Sequence, residues 1–149
     1  ETALGTVAKR ALYARLRAQR KEGIVFKRID SSYGDGKNDD QIKVKFVESA
    51  TLVVSSIHPT KRSITVQGFD DLGAGISLGS VTIPSIFDIS PLNALVEVQY
   101  LYVVRNLVQP VYRGVRTDQT LESCSIRQLK YRSDIGEEEA SNDAGLQAA

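Results

Sequence analysis

The sequence of 149 residues contains no Met and no Trp, and it has a single Cys and a single His. One cysteine, Cys124, excludes an internal disulfide framework and is typical of a protein from a reducing cytoplasm. Because a structural zinc site needs about four Cys or His ligands, Cys124 and His58 cannot form one. No apolar run approaches the length of a membrane-spanning helix, about 20 residues, and the N-terminus has no cleavable signal pattern. We therefore expect a cytoplasmic protein that has no membrane partner.

The absence of Met also bears on the extent of the chain. The sequence begins with Glu and enters a helical pattern at once, which predicts the C-terminal portion of a longer polypeptide. The alternative is a complete small protein that has lost its initiator. With 42% hydrophobic and 25% charged residues the composition is that of a globular protein. The length allows one domain, or one small domain and part of another.

Charge is distributed unevenly along the chain. The formal net charge is +1, but residues 134–149 carry five of the 18 acidic residues and none of the 19 basic ones. Residues 1–133 are therefore moderately basic, which is compatible with a polyanionic partner and equally with an ordinary solvated surface. The acidic, small and polar residues of 134–149 predict a disordered tail.

The first part of the chain has the pattern of a helix and a β-hairpin. Apolar residues within 3–20 recur at the spacing of one helical face, with Thr2 as a candidate N-cap. Residues 24–29 and 41–47 then have the pattern of strands. The Gly- and Asp-rich segment 30–40 between them predicts a turn, because its glycines and Lys37 lack the spacing of a phosphate-binding loop.

From residue 48 onward, strand patterns alternate with turn residues such as Pro59, Pro84 and Pro91. The predicted strands are 51–57, 63–69, 75–83, 96–104 and 109–116. Five short strands in so few residues favour a small barrel, and the five-stranded OB-fold is the simplest choice. The chain is thus predicted to be mainly β, with one unit at 1–47 and an OB-fold domain at 48–133.

Two lysines and a glutamate in the first unit have a pattern suited to phosphate chemistry. Lys43 and Lys45 are two residues apart in a predicted strand, so their side chains share one face, about 7 Å apart. Such a pair can bind phosphate, although lysines also keep exposed strand edges soluble. Glu22 opens the preceding strand, where its carboxylate can bind a hard divalent cation. Together these residues predict a site for a magnesium-bound nucleotide.

Three segments resemble motifs of the covalent nucleotidyltransferases, above all of the ATP-dependent DNA ligases. Glu-Gly-Ile-Val-Phe-Lys at 22–27 resembles motif IV, and Gln-Ile-Lys-Val-Lys-Phe at 41–46 resembles motif V. Val-Tyr-Arg-Gly-Val-Arg-Thr-Asp-Gln at 111–119 resembles motif VI, which in these enzymes lies in an appended OB domain. The order and spacing match as well, so the resemblance covers nearly all of residues 1–133. It implies that residues 1–47 are the C-terminal part of an adenylation domain.

The resemblance implies roles for individual residues. Glu22 takes the place of the glutamate that binds the catalytic metal, and Lys43 and Lys45 take the place of catalytic lysines that contact the nucleotide α-phosphate. Arg116 and Asp118 match the pair that closes over ATP and orients the pyrophosphate leaving group. The implied cofactors are ATP, as the source of AMP, and Mg²⁺.

The resemblance also implies an activity and a partner. A complete enzyme of this kind is a bacterial or phage-type cytoplasmic monomer that seals nicks in duplex DNA during repair and replication. It works through enzyme-AMP and DNA-adenylate intermediates, while its OB domain clamps the DNA. Basic residues of the barrel are candidate contacts to the DNA backbone. They are Lys61, Arg62, Arg105, Arg113, Arg127 and Lys130.

The sequence departs from the ligase pattern in two respects. It has no Lys-x-Asp-Gly, the motif whose lysine accepts AMP, and Gln119 stands where a lysine is usual. The chain alone is therefore predicted not to self-adenylylate and to need the N-terminal segment of an adenylation domain. Two alternatives remain open. One is an RNA ligase or capping-type enzyme, because motifs IV and V do not select the acceptor, and the other is a non-catalytic OB module that binds nucleic acid.

Overall fold

The computed structural model describes residues 1–30 and 40–132. Most of the predicted turn at 30–40 and the whole predicted tail at 134–149 lie outside these residues. The described chain contains one α-helix, seven strands and two short 3₁₀ turns, and it divides into two compact units, residues 1–46 and residues 47–132. No helix within this part of the chain combines the length and the apolar character that crossing a membrane requires.

The first unit consists of a helix and a two-stranded antiparallel sheet. Helix α1 spans Thr6–Ala18, β1 spans Gly23–Lys27 and β2 spans Gln41–Lys45. The prediction of Thr2 as N-cap is wrong. The helix begins after Gly5, whose φ of +79° lies in the left-handed region that favours glycine. Leu12 is buried in the helix, and the ring of Tyr13 packs edge-on against Phe46 with the ring centroids 5.1 Å apart.

The second unit is a five-stranded antiparallel sheet that curls into a barrel. Its strands are β3 (Glu48–Ile57), β4 (Ser63–Phe69), β5 (Gly75–Thr82), β6 (Leu95–Tyr100) and β7 (Val111–Val115). The strand order is β5-β4-β3-β6-β7, and the two edge strands β5 and β7 lie next to each other. This is the order of an OB-fold that opens between its third and fifth strands. The predicted mainly-β fold with a five-stranded OB barrel is confirmed.

Strand alternation fills the interior of the barrel with aliphatic side chains and two tyrosines, Tyr100 and Tyr112. The completely or almost completely buried side chains include Leu52, Ile64, Val66, Val96, Val98 and Tyr100. The hydroxyl of Tyr100 accepts the backbone N–H of Lys130 at 3.0 Å, so the phenol is satisfied inside the core. A second buried pair joins Ser90 and Tyr112 through their hydroxyls at 2.7 Å.

Gly68 on β4 allows the chain segment after β7 to pack closely against the sheet. A Cβ at this position would lie 2.9 Å from the carbonyl oxygen of Cys124 and 2.9 Å from Cγ2 of Ile126. Cys124 is fully buried, and burial raises the pKa of its thiol, so the residue packs as a small apolar group. This close approach of backbone to backbone requires glycine at position 68.

We expect Gly68→Ala to lower the free energy of unfolding of the second unit by about 1–3 kcal/mol, because the backbone must move to admit a methyl group. Gly75→Ala is the matched control, because a Cβ there meets the flexible side chain of Gln67 at 3.0 Å, which can move aside. Denaturant unfolding of both variants measures the difference. Equal stability of the two variants would contradict the close packing at Gly68.

Candidate functional site

The antiparallel pairing of β1 with β2 assembles a face of three lysines. Lys43 lies opposite Val25, and Lys45 lies opposite Gly23, so both lysines project from the face that carries these two residues. Lys27 projects from the same face and is exposed like the other two. It was not among the predicted site residues, because strand alternation places it on the opposite face from Glu22. We call Lys27, Lys43 and Lys45 the lysine face.

Gly23 brings the two strands together at one end of the lysine face. A Cβ at this position would collide with the carbonyl oxygen of Val44 and lie 3.0 Å from Cα of Lys45. A residue with a side chain would therefore push β2 away and displace Lys45 from the strand register. The close approach of the two strands thus explains why a glycine follows Glu22 in the motif.

Glu22 lies immediately before β1, at the entry to the strand. Its carbonyl oxygen accepts the backbone N–H of Phe46 at 2.8 Å, which extends the hairpin by one residue pair. Strand alternation then assigns Glu22 to the face of Ile24 and Val44, away from the lysine face. The register brings the lysines together but does not bring Glu22 onto their face.

Arg116 follows β7, and its guanidinium contacts two carboxylates. Its Nε and Nη2 donate to the two carboxylate oxygens of Asp118, both at 2.8 Å, so the predicted pair is formed. Its Nη1 donates to Oε2 of Glu97 at 3.2 Å, and the hydroxyl of Ser49 donates to Oε1 of Glu97 at 2.5 Å. The side-chain amide of Gln119 donates to Asp118 at 3.3 Å. We call these five residues the Arg116 cluster.

Two members of the Arg116 cluster, Glu97 and Ser49, were missed by the sequence analysis. The available signal was a single carboxylate at position 97 between two valines of a predicted strand. In the barrel both valines are fully buried, so alternation turns Glu97 outward. That it meets Arg116 follows from the pairing of β6 with β7, in which Glu97 lies opposite Gly114.

Electrostatics within the Arg116 cluster favour the charged forms. The bidentate hydrogen bond from Arg116 holds the pKa of Asp118 well below its ordinary value of 3.8, and its own backbone N–H and Gln119 lower it further. The hydrogen bond to Asp118, together with Glu97, raises the pKa of Arg116. Asp118 is 61% exposed, so solvent screens the pair and its contribution to stability is small. Its main effect is to orient the guanidinium.

Three candidate DNA contacts lie in connections between strands, and they differ in whether their side chains already bind other parts of the protein. Lys61, in the turn between β3 and β4, and Arg105, in the connection between β6 and β7, are exposed. Arg62 instead donates to the backbone carbonyls of Ile83, Pro84 and Phe87 and braces the segment after β5. Its guanidinium is therefore largely engaged in holding the fold.

The remaining candidate DNA contacts are also engaged or are buried. Nε of Arg113 donates to Oε1 of Gln99 at 2.8 Å. Arg127 forms a two-pronged ion pair with Asp71, at 2.5 and 2.6 Å. Lys130 is only 2% exposed, which does not fit the predicted contact to a phosphate. From sequence a lysine near the end of the chain is expected at the surface, and its burial here depends on the distant elements that surround it.

No family model matches the sequence, and no curated protein matches it significantly. Solved structures share its fold, however. A Lig E DNA ligase, studied for DNA binding with a minimal scaffold, has a TM-score of 0.61 at 20% identity over 77% of this chain and 48% of its own. Structures named Pmar-Lig_PreS3 and Pmar-Lig_Pre have TM-scores of 0.60 and 0.59, each at 22% identity, over 75% and 77% of this chain.

The chain spans less than half the length of these solved proteins, 48% of the first and 32% of the other two. At 20–22% identity the likeness establishes the fold. The chain therefore has the fold of a portion of DNA ligases, which agrees with the resemblance found in its motifs.

The titration of Asp118 provides a test of the Arg116 cluster. Because its pKa is lowered, the ion pair stabilises the fold above the ordinary aspartate pKa, and this contribution is lost as the pH falls through the lowered value. We expect Asp118 to be still ionised at pH 3.8 and Arg116→Gln to bring its midpoint back toward that value. Carboxyl ¹³C shifts followed by NMR measure both, and Arg127→Gln, which frees Asp71 instead, should leave Asp118 unchanged.

Proposed function

We propose that this chain is the C-terminal portion of an ATP-dependent DNA ligase, in which residues 1–47 end the adenylation domain and the OB barrel binds nicked duplex DNA. The observation that carries the proposal is the fold shared with a Lig E DNA ligase, a protein described as binding DNA. The three ligase-like segments support it, since they coincide with β1, with β2, and with β7 and the residues that follow it. Sealing of nicks in repair and replication, through AMP-linked intermediates, belongs to the same proposal.

ATP is the proposed nucleotide, and its α-phosphate is proposed to lie against the lysine face. Transfer of AMP needs neutralisation of phosphate charge and in-line positioning more than it needs proton transfer. Lys43 and Lys45, helped by Lys27, would supply positive charge from exposed positions on one face. Arg116, oriented by Asp118, would bind the pyrophosphate leaving group.

Mg²⁺ fits these residues only together with the nucleotide. Magnesium in such sites is bound by one or two carboxylates and by substrate phosphates. Glu22 is the proposed carboxylate, and residues 1–30 and 40–132 contain no cluster of three or more His, Cys, Asp or Glu side chains that could bind a metal. The ion would add charge neutralisation, and Glu22 would have to reach it around the end of β1.

Contact with DNA is proposed for the two strand connections that carry Lys61 and Arg105. OB-folds bind oligonucleotides with the loops that join their first to second and fourth to fifth strands. In this barrel those loops are the β3–β4 turn and the β6–β7 connection. Both side chains are exposed there, whereas Arg62, Arg113 and Arg127 already donate to protein acceptors.

The nucleotide site is tested by adenylylation and nick sealing. Incubated with α-³²P-ATP, the chain alone is expected to gain no covalent label, because it has no Lys-x-Asp-Gly lysine. Joined to the N-terminal adenylation segment of a Lig E ligase, it is expected to seal nicked DNA. Lys43→Ala should then lower sealing about 10²-fold, as loss of one charge-stabilising donor does, while Lys9→Ala on α1 should not.

Covalent labelling of the chain alone would contradict the prediction that it lacks the lysine that accepts AMP. Full sealing activity of the fusion with Lys43→Ala would exclude the lysine face from the chemistry and favour a non-catalytic OB module. Preference of the same fusion for nicked RNA over nicked DNA would favour the RNA-joining alternative.

The DNA-binding surface is tested on the chain itself. Lys61→Gln and Arg105→Gln should each weaken binding to nicked duplex DNA about 3- to 5-fold at low salt and reduce the salt dependence, because each removes one phosphate contact. Arg127→Gln removes the same charge, but Arg127 is already paired with Asp71. Its effect on DNA binding should therefore stay below about twofold. Fluorescence anisotropy over a salt series measures all three. Equal losses in the three variants would contradict a specific surface at the two loops.

A further inference from the structure

Arg116 is held at two edges of its guanidinium by carboxylates from different parts of the barrel. Asp118, two residues further along the chain, accepts hydrogen bonds from Nε and Nη2, and Glu97 on β6 accepts one from Nη1. Glu97 is itself anchored, because Ser49 on β3 donates to its other oxygen. Residues on β3, on β6 and just after β7 therefore fix the orientation of the Arg116 guanidinium.

The hydrogen-bonding capacity of Arg116 is only partly used. An arginine has five N–H donors, and three of those of Arg116 are taken by Asp118 and Glu97. The other two have no acceptor among residues 1–30 and 40–132. Two N–H groups of an oriented guanidinium suit two oxygens of a phosphate.

We propose that Glu97 is a positioning residue that locks the guanidinium of Arg116 in the orientation needed to bind the terminal phosphates of a nucleoside triphosphate. The phosphate ligand rests on the proposed function, whereas the locking of Arg116 by Glu97 does not.

The ion pair of Arg116 with Glu97 is less exposed than the ion pair of Arg127 with Asp71. In the pair Arg127–Asp71 the side chains are 74% and 60% exposed. In the pair Arg116–Glu97 both side chains are 30% exposed, and Glu97 has a further partner in Ser49. A carboxylate fixed in this way loses little side-chain freedom when it orients its neighbour.

The charge of Glu97 distinguishes positioning from attraction. Arg116 carries one positive charge between two carboxylates, so the three residues together are negative and do not by themselves attract a polyphosphate. Glu97 can favour phosphate binding only through geometry, because its charge opposes the ligand. The substitution Glu97→Gln keeps an acceptor oxygen and removes the charge, whereas Glu97→Ala removes both. The two variants therefore separate the effect of geometry from the effect of charge.

The test uses the isotopically labelled chain and two NMR readouts. Rotation of the Arg116 guanidinium about its Nε–Cζ bond, without ligand, is expected to be several-fold faster in Glu97→Ala and close to wild type in Glu97→Gln. Titration with inorganic pyrophosphate is expected to show an about fivefold weaker affinity for Glu97→Ala, which corresponds to about 1 kcal/mol. Glu97→Gln should bind within about twofold of wild type or more tightly. Asp71→Ala, which removes the same charge from the other pair, should change neither readout.

Unchanged guanidinium rotation in Glu97→Ala would overturn the proposal whatever happens with pyrophosphate. Tighter pyrophosphate binding by both Glu97 variants would also overturn it, because Glu97 would then be a competitor for Arg116. Equal weakening in both variants would do the same, since an acceptor oxygen should suffice. Absence of pyrophosphate binding by the wild-type chain, with faster rotation in Glu97→Ala, would leave the locking intact and instead contradict the proposed nucleotide role of Arg116.

Discussion

Strand β6 pairs with β3 on one side and with β7 on the other, and this double pairing determines both the interior and the polar surface of the barrel. Because side chains alternate along a strand, burial of Val96 and Val98 forces Glu97 outward. β7 then ends where Arg116 meets that carboxylate. A shift of one residue in either pairing would expose core valines, so packing of the core also holds the Arg116 cluster in place.

The strand content and the OB barrel could be predicted because the apolar alternation persists through each segment, and burial follows it closely in β4 and β6. The helix was predicted as well, but its start was not. Leu4 and Val7 extend the apolar stripe in sequence, yet they are 67% and 84% exposed. Periodicity reports which residues share a face and does not report whether anything covers that face.

The site could be predicted only where it depends on local spacing. Lys43 and Lys45 share a face in any regular strand. The position of Glu22 relative to them depends on the cross-strand register, in which Gly23 lies opposite Lys45, and a motif does not contain that information. The contacts of Arg62 with three carbonyls of the segment after β5, like the burial of Lys130, depend on residues far away in sequence.

Existing partners, more than the formal charge of +1, decide which cations of the barrel can accept a phosphate. Arg127 is held by a single carboxylate, Asp71, and its side chain is 74% exposed, so less of the protein fixes its guanidinium. Lys61 is exposed but must be ordered when it binds, which costs side-chain entropy. Arg116 differs from both: two carboxylates have already ordered it, and two donors remain for a ligand. An arginine held by two carboxylates is therefore better prepared for a phosphate than an arginine held by one exposed carboxylate or a lysine that is mobile.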